Sequence, residues 1–143
     1  MSMMIAALMF VPLLAVALAH LLWSMGRTWP IRDEKLLAQT VTGFKGVEHM
    51  PPKLASLAVA IATLAAGIVA LSLADHDSGG IALTLLGLPL AAIFLGRGAI
   101  GYTQRWAEKT PHPSFRYNDR RVYSPLCLAL GIGFAVLTVV RLL

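Results

Sequence analysis

Three sets of polar residues recur at helical spacing and would gather toward one end of a helical protein. His20, Trp23, Ser24 and Arg27 lie at intervals of three, four and seven, so a continuous helix displays them on one face. Arg97, Gly101, Gln104 and Glu108 form a similar stripe, and Asp119, Tyr123 and Cys127 follow one another four residues apart. A cationic pocket with a histidine and a carboxylate suits an anionic headgroup or a small metabolite, and such groups can move its protons. The expected ligand-binding set is His20, Trp23, Arg27, Arg97, Asp119, Tyr123 and Cys127. Arg97 is the first candidate partner of Asp119, because an acidic residue adds nothing to a topology signal and needs a cation or a hydrogen bond near a membrane. The plainer reading gives these residues structural work: Arg97 snorkels, His20 satisfies itself on a neighbour, Asp119 pairs with Arg116 or a neighbouring arginine in solvent, Trp23, Tyr102 and Trp106 form an aromatic belt, and Arg120 and Arg121 anchor the topology.

The elements that must position these groups are apolar. Hydrophobic residues make up 57% of the 143-residue chain and charged residues 13%, against about 25% charged in a typical soluble domain. This length fits one compact domain. The net charge of +5 does not indicate nucleic acid, because the basic residues sit in loops between apolar runs. The single cysteine, Cys127, cannot close an internal disulfide.

Four runs, residues 3–23, 54–74, 81–102 and 125–143, approach or reach the length of about 20 apolar residues that crosses a bilayer. The first lacks the basic start of a cleavable signal and is expected to stay as a membrane helix. The fold expected is all-α, an integral membrane four-helix bundle with four transmembrane helices and both termini outside. Loops 24–53 and 103–121 each carry five Lys or Arg, whereas "DHDSGG" at 75–80 carries none, so the two basic loops are expected in the cytosol. Ser124 and Pro125 suit an N-cap and first helical position. Cys127 would then lie in a first turn whose free amides and neighbouring arginines favour a thiolate. A small apolar residue packed between helices is the competing role.

On the second run Ala58, Ala62, Ala66, Ala70 and Ala74 recur every four residues, a small-residue ridge expected to admit a neighbouring helix. Pro12 and Pro89 lie inside the first and third runs. Within loop 24–53, Leu37, Val41, Phe44 and Val47 could make the apolar face of an interfacial helix, although Gly43 and Gly46 weaken it. "GRGAIG", with Gly96, Gly98 and Gly101, spells a dinucleotide fingerprint but follows an apolar helix rather than a strand, so it reads as a thin helix face. Asp75, His76 and Asp77 are adjacent in a short turn and read as a solvated cap; no metal and no cofactor is expected.

"AHLLWSMGRTWP" at 19–30, "VTGFKGVEHMPP" at 41–52 and above all "DRRVYSPLCLALG" at 119–131 resemble the small bacterial membrane proteins grouped as domain-of-unknown-function family 3995. The similarity spans nearly the whole chain. It implies a four-helix membrane protein whose marked residues here are His20, Trp23, Asp119, Tyr123, Ser124, Pro125 and Cys127, and it brings no assigned activity.

The function expected is a multi-pass inner-membrane protein that binds or carries a small polar or lipid-like ligand at the cytosolic end. The alternatives are a membrane-embedded enzyme using His20, Asp119 or Cys127, and a structural subunit that packs on a membrane-protein partner or a second copy. The lipid bilayer is the expected surrounding partner, and nucleic acid is not.

Overall fold

The computed structural model describes residues 1–77 and 79–143; Ser78, in the turn expected outside, lies beyond the described residues. The described residues form helices joined by turns and irregular segments, with no strand among them. Four helices are long and apolar enough to cross a membrane. They are α1 (Ser2–Ser24), α3 (Lys53–Ala74), α4 (Gly80–Ile100) and α7 (Ser124–Leu142). Three short helices join them at one end: α2 (Glu34–Val41), α5 (Gln104–Lys109) and α6 (Pro113–Asn118).

Helix ends follow local chemistry. Past the end of α1, Gly26 takes φ +80 and its N–H bonds Trp23 O at 3.0 Å, while Arg27 N–H reaches back to Leu22 O at 3.0 Å. This left-handed cap satisfies carbonyls that the helix leaves open. Asp33 caps α2 by accepting from Leu36 N–H at 2.7 Å, and Thr103 caps α5 by accepting from Trp106 N–H at 3.3 Å. The glycine-rich run at 96–101 lies at the end of α4 with no strand before it, so the dinucleotide geometry is not formed.

The last helix departs from expectation. Ser124 is the first residue of α7 but not a free N-cap: α6 runs into a π-helical turn at Asp119–Tyr123, and Ser124 continues with helical φ/ψ, its N–H bonded to Asp119 O five residues back. Pro125 supplies the physical reason, since its ring crowds the carbonyl four residues earlier and a widened turn relieves that crowding. The helical stretch Pro113–Leu142 has 30 residues, about 45 Å at 1.5 Å per residue. A hydrocarbon layer is about 30 Å thick, so the N-terminal part of this stretch is surplus to a crossing.

α1 packs along α3, and α4 packs along α7; α3 also meets α4, and α7 meets α1 and α3. All four contribute to one apolar core, including Leu13 from α1, Leu73 from α3, Ala91 from α4 and Phe134 from α7. Phe94 and Phe134 stack with ring centroids 5.6 Å apart. The α4 and α7 backbones approach through glycine. A Cβ on Gly98 would lie 2.9 Å from Leu128 N, and one on Gly131 would lie 2.8 Å from Leu95 N.

The alanine ridge on α3 divides. Ala66, Ala70 and Ala74 are buried, whereas Ala58 and Ala62 are exposed. Each four-residue step advances about 40° around a helix, so the series from Ala58 to Ala74 sweeps about 160° and cannot face one neighbour throughout. In the first half of α3 the buried positions are Ser56 and Ala60 instead.

Loops 24–53 and 103–121 pack on each other. Lys45 N–H donates to Lys109 O at 3.2 Å, and Thr40 Oγ1 lies 3.4 Å from Ser114 Oγ. Gly43, at φ +68, lies where a Cβ would collide with the Phe115 ring, itself buried. Leu37 and Ala38 of α2 are fully buried, so that face points into this cap rather than lying open to lipid. At the opposite end Arg141 donates to Asp75 O at 2.6 Å, Ser72 O at 3.2 Å and Thr84 Oγ1 at 2.9 Å. A cation thereby serves the carbonyls at the end of α3.

Candidate functional site

Asp119 is a buried carboxylate held by side chains from four helical segments. It is 0% exposed, where an isolated carboxylate would be very costly. Its Oδ1 accepts from Arg97 Nη2 at 2.7 Å and from Ser124 Oγ at 3.1 Å. Its Oδ2 accepts from Trp106 Nε1 at 3.0 Å. Arg116 Nη1 stands 3.7 Å from Oδ2, within ion-pair range but too far for a hydrogen bond. Arg97 also lies over the Trp106 ring, 5.0 Å from its centroid.

Each donor reaches Asp119 because of where its helix ends. Arg97 sits in the last turn of α4, Trp106 is held by the Thr103 cap of α5, and Arg116 is three residues before Asp119 on α6. Ser124 lies five residues on, and the π turn sets its hydroxyl back toward the carboxylate. Gly101 makes room: a Cβ there would overlap Ser124 Oγ and lie 3.1 Å from Asp119 Oδ2. The cluster ties α4, α5, α6 and α7 together. With both oxygens engaged, the carboxylate has little capacity left to bind a ligand.

The expected residues fall into two places rather than one. Arg97 and Asp119 form the ion pair just described. Tyr123 packs on Phe115, centroids 5.9 Å apart, and among the described residues makes no hydrogen bond to the carboxylate. Cys127 is a half-buried free thiol. Because the helical backbone is continuous through Ser124, it does not sit at a free helix N-terminus, and the expected thiolate environment is not formed. Arg27 is exposed beyond the α1 cap.

His20 and Trp23 lie elsewhere. His20 Nδ1 meets Val16 O at 2.9 Å, and the His20 and Trp23 rings are 4.7 Å apart. A carbonyl only accepts, so Nδ1 carries the proton and, in the neutral ring, Nε2 is the acceptor. Trp23 Nε1 donates to Trp29 O at 2.6 Å. Among the described residues neither shares a hydrogen bond or ion pair with Asp119. They line a cleft of about 120 Å³ together with Thr42, Met50, Ser56 and Val59. Its walls come from α1, α3 and the end of loop 24–53.

Sequence reasoning did not assign Trp106 or Ser124 to Asp119, and it offered Arg116 only as the competing partner of Asp119 in solvent. Trp106 reads as a belt residue, and Ser124 before a proline reads as a cap. The spacing of Arg116 and Asp119, three apart, was the available signal for that pair. Among the described residues no three of His, Cys, Asp and Glu converge as a metal site, the Asp75, His76 and Asp77 turn included.

These features define an all-helical protein with four helices of membrane-crossing length and apolarity, closed at one end by a cap of short helices. The chain belongs to the family described as Protein of unknown function (DUF3995), whose family model matches residues 13–134. The match includes every residue from His20 to Cys127, and therefore both the Asp119 cluster and the cleft. No curated protein and no solved structure gives a match.

Proposed function

We propose that the chain is a multi-pass inner-membrane protein that binds, and as a carrier would move, a small polar or lipid-like ligand at the cytosolic end. The two basic loops face the cytosol and both termini face outward. Supporting this orientation, ten Lys and Arg lie in loops 24–53 and 103–121, which join at the Lys45 and Lys109 backbones.

The observation that carries the ligand reading is the cleft beneath His20 and Trp23. It combines apolar walls from Met50 and Val59 with polar atoms from His20, Thr42 and Ser56, the mixture that small-molecule sites use to bury and orient a ligand. In this reading Asp119 ties α4, α5, α6 and α7 at this end, and the ligand contact belongs to the cleft. Mass spectrometry of small molecules retained by the purified protein tests the reading. A retained compound that is lost on Val59→Trp, which fills the cleft from a partly exposed position, is the expected outcome. Retention unaffected by Val59→Trp overturns it.

A second reading, a subunit of a membrane complex, is favoured by the exposed Ala58 and Ala62 on α3, where a helix of a partner or a second copy could approach closely. A stoichiometric protein retained through purification, and released by Ala62→Leu, would support it.

A further inference from the structure

Resting on the cleft reading, we propose that the cleft takes the headgroup of an anionic phospholipid whose phosphate lies beside a hydroxyl. Three observations converge on that chemistry. The first is charge beyond the cleft lining: Lys53 Nζ lies over the α1 cap, 3.2 Å from where a Gly26 Cβ would stand, and Arg27 follows in the chain. Lys53 is three residues before Ser56 and Gly26 three after Trp23, so this cationic corner is about one helical turn from two cleft-lining residues. Both cations are exposed, and among the described residues neither makes an ion pair. An anion meeting them displaces no internal carboxylate.

The second is the polarity inside. With Nδ1–H given to Val16 O, the neutral His20 ring offers Nε2 as an acceptor, which suits a hydroxyl donor rather than a bare phosphate oxygen. Phosphate at the Lys53 and Arg27 corner with a headgroup hydroxyl toward His20 satisfies both ends. The third is the surrounding surface. Leu54 and Ile61 on α3 and Leu18 and Leu21 on α1 are exposed apolar residues on the two helices that wall the cleft. Acyl chains anchored here would therefore lie along helix surfaces that already favour hydrocarbon.

Trp23 makes the site specific in shape. Its indole is fixed by Trp29 O and by the His20 ring, so it is a rigid wall rather than a swinging side chain.

Native mass spectrometry after release from nanodiscs of phosphatidylglycerol, phosphatidylcholine or an equal mixture tests the proposal, with inorganic phosphate added in a parallel series. Preferential retention of phosphatidylglycerol is expected. Lys53→Gln and Arg27→Gln should each lower it about five-fold, the ratio that corresponds to ~1 kcal/mol for one basic residue near anionic lipid. Displacement of the lipid by inorganic phosphate would support the same phosphate chemistry, with free phosphate as the source. Equal retention of the two lipids, abolished in both cases by Val59→Trp, overturns the headgroup selection and leaves the cleft standing. Retention indifferent to Val59→Trp overturns both.

Discussion

Gly101 and Ser124 stand so close that a methyl group on Gly101 would occupy the position of the Ser124 hydroxyl, the same hydroxyl that donates to Asp119 at 3.1 Å. The absence of a side chain at the cap of α4 is therefore a condition for the buried carboxylate on the π turn. Gly101→Ala is expected to push Ser124 away and strain the α4 and α7 contact, costing about 1–3 kcal/mol, the usual range for overpacking. Thermal aggregation of the detergent-solubilised variant checks this; an unchanged midpoint would mean that the helices separate freely at this point.

Asp119→Ala removes the acceptor shared by Arg97, Trp106 and Ser124 and leaves a partly buried arginine without its carboxylate. Breaking a fully buried pair costs roughly 3–5 kcal/mol, and the cost here falls below that range because water reaches Arg97. Asp119→Asn retains one carbonyl acceptor and should lose less, while Arg120→Gln, at an exposed position, should leave stability unchanged. Unfolding followed by circular dichroism ranks the three; a damaging Arg120→Gln would contradict the assignment of the cluster.

The two halves of the α3 alanine ridge should respond differently. Ala66→Leu intrudes on a core that already holds Leu13, Leu73 and Phe134 and is expected to cost about 1–3 kcal/mol. Ala62→Leu, exposed, should spare the isolated chain and alter only association with another helix. Size-exclusion chromatography beside thermal melts separates the two effects.

Topology is tested by cysteine labelling of intact cells in a Cys127→Ala background. Asp77→Cys should label from outside and Lys109→Cys should be protected until the membrane is opened, following the distribution of Lys and Arg. Both positions are exposed. Thr110, beside Lys109, is unsuitable because it is fully buried in the cap and bonded to Trp106 O. Labelling at Lys109→Cys alone would invert the assignment.

Much of this architecture is legible in the sequence because it depends on properties of single segments. Runs of apolar residues set the four long helices, and the need of Asp119 for a nearby cation points to Arg97. These signals are one-dimensional: length, period and charge survive without knowledge of neighbours.

What the tertiary structure alone decided is lateral. A five-residue widening before Pro125 turned Ser124 from a cap into a donor, and the α5 cap brought the Trp106 indole to a carboxylate thirteen residues away. Rotation of α3 buried Ala66 and Ala70 while leaving Ala58 and Ala62 outside. The pairing of α1 with α3 and of α4 with α7 put His20 and Trp23 in one place and Asp119 in another. Residues that share a helical period share a face only over a few turns, and which neighbour that face meets is set by the packing of whole helices, a property that no single segment carries.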